Sequence, residues 1–157
     1  MTLGIFSLVD SVYVRHSQDG LFTAPIVIVH HGRVGDTETK KLYIRATDAN
    51  TYSKISIVPV SSTDDISETP GEIGDSGWGI KLLIDPGYTP VALEWDAIGY
   101  GLPIGYVANA QDRDWAVNGI VNNETVLGFW MRIECPMNVS VQNKTSISLR
   151  LIYTEVT

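Results

Sequence analysis

V-L-G-F-W-M-R-I-E-C-P-M-N-V-S-V-Q-N-K-T-S-I-S-L-R-L-I-Y, residues 126–153, is the stretch that decides the fold. Its first part alternates strictly. Phe129, Met131, Ile133 and Cys135 face one way, and Trp130, Arg132 and Glu134 face the other, which is the period-two pattern of a half-buried strand. Pro136 lacks the N–H that a ladder needs, so it ends that strand or sets it at an edge. A polar connection follows over 138–146. The chain then returns as a second strand with Ile147, Leu149, Leu151 and Tyr153 on one face. Two such strands bury their inner faces only against a second apolar layer, which the upstream chain must supply.

Working outward from there, residues 24–30 are β-branched and nearly all apolar, as in a strand covered on both faces. Residues 41–47 alternate with Leu42 and Ile44 inward, 48–51 hold turn residues, and 52–60 answer as the next strand. That spacing predicts a hairpin. Pro59 sets the end of the second run at an edge or a bulge. Residues 78–85 form a further strand with Ile80, Leu82 and Ile84 inward. From Pro86 to Tyr106 the glycines and prolines predict short strands and turns rather than a helix. Glu94 and Asp96, either side of Trp95, then share one strand face. Near the start, Val12 and Val14 share a face of a short strand, and residues 1–20 read as an N-terminal arm that orders on a partner. Segments 61–77 and 109–123 are long loops. No window sustains a 3.6-residue apolar period. The sum is a single all-β domain over 1–157. It is an antiparallel β-sandwich, immunoglobulin-like or jelly-roll-like, of about seven to nine short strands.

A chain of 157 residues is long enough for a sizeable core; such chains hide roughly 70% of their unfolded surface. No stretch has the charged start, apolar run and small-residue site of a signal peptide, and none is long enough to cross a bilayer as a helix. A net charge of −7, with its eleven basic residues scattered, argues against a nucleic-acid partner, which needs clustered Lys and Arg to displace counterions. Cys135, the one cysteine, sits on an inner face and reads as an inert buried thiol in a reducing compartment. The sequence triplets at Asn123, Asn138 and Asn143 match the glycosylation pattern, but without a secretory signal they read as chance.

Chemistry is sparse. There is no Gly-x-Ser-x-Gly elbow, phosphate-cradling loop or dinucleotide fingerprint. Glu94 and Asp96 lie side by side, not across a sugar as a glycosidase requires. His30 and His31 are adjacent and point to opposite faces of a strand, which does not chelate one metal. The acidic loop carries Asp64, Asp65, Glu68, Glu72 and Asp75, but its spacing matches no calcium loop. A solvated loop, or one that orders against a neighbouring subunit, fits its charge better. The expectation is a non-enzymatic protein without cofactor or metal. Aromatic residues are the stronger lead. Trp78, Tyr100 and Trp115 are the candidate ligand-facing set, and Trp115, in a polar loop with Asp112 and Asp114, is the best placed to meet a partner. Trp95 and Trp130 read as rings closing the core.

The patches L-Y-I-R (42–45), Y-S-K-I-S-I (52–57), E-W-D (94–96), F-W-M-R-I-E-C-P (129–136) and L-R-L-I-Y (149–153) resemble a β-sandwich module of tailed-bacteriophage structural proteins. In that module a strand ending in Arg precedes a Tyr-containing strand, and an aromatic-Trp-x-Arg strand ending in Pro comes later. The resemblance covers residues 40–155 as ordered patches and carries no catalytic residues. It implies a virion component made in the host cytoplasm, foremost a capsid decoration or cement protein, with a neck or tail position as the alternative. The implied partners are a major capsid or other virion protein and further copies of the chain, a trimer being favoured on a local symmetry axis. Arg45 and Arg132 would then need carboxylate partners, for which Asp96 and Glu134 are the candidates. A reading from a different class is a carbohydrate-binding module that holds host glycans through Trp78, Trp115 and Tyr100. No membrane or nucleic-acid partner is expected.

Overall fold

Alternating segments that share one apolar face stack in two layers, and this chain does so almost throughout. The computed structural model describes residues 3–18, 21–22, 28–30, 37–61, 66–67, 77–102, 104–105, 126–135, 142–144 and 147–156. The elements in order are β1 (Leu3–Val9), β2 (Val12–Gln18), β3 (Leu21–Phe22), β4 (Ile28–His30), β5 (Thr37–Ala46) and β6 (Thr51–Ser61). They continue with β7 (Gly79–Ile84), α1 (Ala92–Asp96), β8 (Ile104–Gly105), β9 (Val126–Glu134), β10 (Gln142–Lys144) and β11 (Ile147–Val156). One sheet runs β3-β2-β1-β5-β9-β7, a second runs β11-β6-β8, and β10 pairs with β4. Every pairing between these strands is antiparallel.

The layers meet face to face. Leu3 and Ile5 of β1, Leu42, Ile44 and Ala46 of β5, Ile80 and Leu82 of β7, and Phe129, Met131 and Ile133 of β9 form the floor. Tyr52, Ile55 and Ile57 of β6, Ile104 of β8, and Ile147, Leu149 and Leu151 of β11 form the roof of the same cluster. Cys135 is a buried free thiol within it, as its place in the alternation predicts. The all-β antiparallel sandwich read from the sequence is therefore the fold, with some strands only two or three residues long.

Four local expectations differ from the structure. Residues 3–18 are not a detached arm: β1 lies inside the large sheet between β2 and β5, and Leu3 and Ile5 are buried in the core. Asp10 and Ser11, at φ 48° and 65°, make the two-residue left-handed turn whose twist suits a hairpin. Segments 41–47 and 52–60 are not a hairpin either. β5 pairs with β1 and β9, while β6 pairs with β11 and β8, so residues 47–50 carry the chain from one layer to the other. The polar connection 138–146 contains β10. Lastly, residues 92–96 are helical. Glu94 accepts the Val91 N–H at 2.9 Å, supplying the first turn with an acceptor that a strand would not need.

Strand β6 holds its apolar residues inward through an irregularity. Tyr52 and Ile55 are three apart, an offset that straight alternation sends to opposite faces. Lys54 adopts φ 52°, and the register with β11 shifts between Ile152 and Thr154, so both side chains reach the core. Pro59, opposite Leu149, lies beyond the two residues that β8 covers, where its missing N–H costs no ladder bond on that side.

Candidate functional site

Among the described residues, the outward set of the large sheet is aromatic and cationic, on a chain of net charge −7. It arises from the same alternation that builds the core. With Leu42, Ile44 and Ala46 turned in, β5 presents Lys41, Tyr43 and Arg45 outward. β9 likewise presents Trp130, Arg132 and Glu134. Cross-strand register then aligns Phe6 with Tyr43 and Arg15, Tyr13 with Leu8, and Lys41 with Trp130.

At the β7–β9 end, α1 and the residues after it lie over this face. Trp95 is 3% exposed yet outside the inter-sheet core. Lys81 donates through Nζ to the Trp95 carbonyl at 3.0 Å and sits 4.3 Å from the Tyr100 ring centroid. The Tyr100 hydroxyl donates to Glu134 Oε2 at 2.6 Å. Burial first, then the Glu134 bond, pushes the Tyr100 phenol up to about 12. The Arg132 guanidinium lies 5.9 Å from the Trp95 ring centroid. The Tyr88 hydroxyl donates to Glu94 of α1, and the Gly101 N–H donates to the Ile80 carbonyl at 2.7 Å, which ties the residues after α1 to β7.

In the middle, Asp85 collects three donors: Lys41 Nζ at 2.9 Å, Trp130 Nε1 at 3.3 Å and the Gly87 N–H at 3.0 Å. Burial opposes its charge, but these bonds together hold its carboxyl below the ordinary carboxylate value. The Asp85 bond raises Lys41 in turn. Gly128 makes the approach possible, because a Cβ there would stand 3.0 Å from Asp85 Oδ2 and 3.2 Å from its Cβ.

At the β2–β1–β5 end, cations and rings interleave. Arg45 lies 3.9 Å from the Tyr13 ring centroid and 5.5 Å from that of Phe6. Arg15 lies 5.2 Å from the same Phe6 ring and donates to Thr47 Oγ1 at 3.0 Å. Tyr13 meets Phe6 and Tyr43 edge-on at 6.3 and 5.6 Å. Lys41 is 5.6 Å from both the Tyr43 and Trp130 centroids.

These positions revise the residues singled out from sequence. Trp78 is a core residue, 3% exposed, so its ring offers no platform. Tyr100 is half-buried and carries Lys81 over one face, which leaves that face closed to a sugar. Trp115 lies outside the described residues, as do the carboxylates Asp64, Asp65, Glu68, Glu72 and Asp75 of the acidic loop. Trp130 faces outward rather than closing the core. The ion pairs expected for Arg45 and Arg132 are not formed among the described residues. Both guanidiniums lie over rings instead, Glu134 bonds to Tyr100, and Asp96 is exposed. The expectation assumed arginines inside the sandwich, whereas both are on its outer face, where no buried charge demands a partner. Among the described residues no group of three or more His, Cys, Asp or Glu is gathered. Phe6, Tyr13, Tyr43 and Asp85 were missed. The available signal was the outward register Lys41, Tyr43, Arg45 beside Trp130 and Arg132, which spells a cation–aromatic face once the inward set is assigned.

Comparison with known proteins adds no identity: neither a protein-family model nor a curated protein matches the chain.

Proposed function

We propose that the protein is a non-enzymatic structural component of a tailed-bacteriophage virion, acting as a capsid decoration or cement protein. The observation that carries this reading is the outer face of the large sheet. It is built of Arg, Tyr and Trp, the residue types that dominate protein–protein contact energy. Its carboxylates Asp85 and Glu134 are each engaged with neighbouring side chains, an arrangement that favours a fixed surface over proton transfer. The patches that resemble the phage module also lie on the core-lining strands β5, β6, β9 and β11, with the Glu94–Asp96 patch in α1. The mode of action is mechanical. Surface buried against neighbouring shell subunits adds binding free energy to the assembled state and opposes its expansion.

Native mass spectrometry over a range of concentrations, with and without a chelator, followed by co-sedimentation with empty phage shells, tests this. The expected result is a closed ring, a trimer foremost, that ignores the chelator and pellets with shells. Pelleting with isolated necks or tails instead would move the protein to those positions. A strict monomer that binds no particle and shows saturable quenching of tryptophan by a glycan would replace the reading with the carbohydrate-binding one.

A further inference from the structure

Exposed apolar side chains gather in two places. Seven of the ten large ones that stand exposed among the described residues belong to the β1–β2 tip (Leu8, Val9, Val12, Val14) or to the segment around α1 (Tyr88, Val91, Leu93). The tip is a ribbon that extends past its described strand neighbours. β1 pairs with β5 only from Leu3 to Phe6, and β3 covers only Ser17 and Gln18 of β2. On one side of the ribbon Val9 faces Val12 and Ser7 faces Val14, and on the other Leu8 lies opposite Tyr13, so both sides are apolar. A lone two-stranded ribbon is marginal in water, and an apolar patch of this kind is stabilised by a partner. We propose that the β1–β2 tip of one copy docks on the α1 segment of a second copy, in a head-to-tail contact. The inference rests on the self-assembly expected in the preceding reading and names the surfaces that make it.

Position and charge select this pairing. The α1 segment is held at β7, through the Gly101 N–H on the Ile80 carbonyl and Lys81 Nζ on the Trp95 carbonyl. β2 lies four strand spacings from β7 in the same sheet, about 19 Å away. The two patches of one copy therefore do not meet, and each is left to another copy. Charge separates the ways in which copies can pair. At the tip end, Arg45 lies over Tyr13 and Phe6 and Arg15 over Phe6, and Asp10 is the single carboxylate of residues 3–18. Residues 86–102 carry Glu94 and Asp96 and no basic residue, and Asp96 is exposed. Tip against tip would bring arginines toward arginines, and α1 against α1 would bring carboxylates toward carboxylates. Tip against α1 brings arginines toward carboxylates while the exposed valines and Leu93 cover one another. A contact between unlike patches is heterologous, so it closes into a ring such as a trimer or runs on as a filament.

The test compares the wild-type chain with Val12→Asp and Leu93→Asp by analytical ultracentrifugation. Val12 is 62% and Leu93 80% exposed, so both variants should keep native NMR dispersion. Should either lose it, Val9→Asp or Val91→Asp takes its place. The wild type is expected to assemble, each variant alone to stay monomeric, and an equimolar mixture of the two to form a dimer and nothing larger. The mixture keeps one intact tip and one intact α1 segment, and hence one contact. It is read at about a hundred times the wild-type midpoint concentration, because a single contact lacks the gain of ring closure. The inference is overturned if the mixture stays monomeric or if either variant alone assembles as the wild type does. Unchanged assembly of Leu93→Asp beside a monomeric Val12→Asp would make the contact tip-to-tip instead. A monomeric wild type also overturns it, and leaves the virion reading to co-sedimentation with shells, which needs no self-assembly.

Discussion

Asp85 shows how much one side chain does when three donors converge on it. It fastens β5 through Lys41 and β9 through Trp130, and it turns the chain at Gly87. Its folded carboxyl titrates below its unfolded value, so its stabilisation is complete above about pH 4 and is lost as pH falls through the lower folded value. Asp85→Asn should therefore lower stability at pH 7 by roughly 1 kcal/mol, a modest figure because the Lys41 ammonium is a third exposed. Urea denaturation of both proteins from pH 7 to pH 2 checks this, and the difference should vanish at the acid end. Tyr100 has the opposite sign. Its phenol is raised to about 12, so the neutral form is favoured by folding and stability falls as pH climbs from about 10 through that value. Ultraviolet titration should show a tyrosine ionising near 12 that Tyr100→Phe removes.

None of these contacts was legible in the sequence, which singled out Tyr100, Trp130 and Glu134 but neither Asp85 nor Lys41. Alternation assigns Trp130 and Lys41 to an outward face, but it does not say that β5 and β9 are neighbours or that the turn after β7 brings Asp85 over Gly128. The expected pairs of Arg45 and Arg132 with Asp96 and Glu134 failed for the same reason. Charge counting finds candidates, and only cross-strand register decides who meets.

Among elements, the β1–β2 hairpin carries the most testable local strain. Asp10 and Ser11 both occupy the left-handed region, which non-glycine residues enter at a cost. Ser11→Gly should raise stability by about 0.5–1 kcal/mol, measured as a higher urea midpoint with unchanged slope. A drop in the midpoint would mean that the Ser11 side chain contributes to the turn. The hairpin escaped the sequence reading because its tip is only Asp10 and Ser11 between apolar Val9 and Val12, and so lacks the glycine that marks most two-residue turns. In β6 the left-handed Lys54 conceals a bulge inside what reads as plain alternation. In α1, five residues are too few for any helical period to show.

Across the whole molecule, β11 is the largest part of the second layer that one cut removes. It supplies Ile147, Leu149 and Leu151 to the core and pairs β6 almost end to end. A chain ending before Ile147 should fail to fold. The expected sign is loss of amide dispersion in NMR spectra and of the cooperative urea transition, because the floor then faces water and β6 gains a bare edge. A dispersed native spectrum from that truncation would show that the two-stranded roof left behind suffices.

What the sequence alone determined is which residues face in. Period-two alternation is a local property of an extended backbone, so β5, β7, β9 and β11, their buried sets and the all-β class follow from it directly. What only the tertiary structure decided is who sits beside whom. The run from β5 to β6 reads as a hairpin but changes layers, the first residues read as an arm but fill the sheet, and Trp78 and Trp130 exchange their expected roles. Pairing between strands distant in sequence is settled by how well whole faces cover one another, and no segment carries that information by itself. The cation–aromatic face is a consequence of that settlement: β2, β1 and β5 must first lie in that order before Arg15, Tyr13, Phe6, Tyr43 and Arg45 share one face.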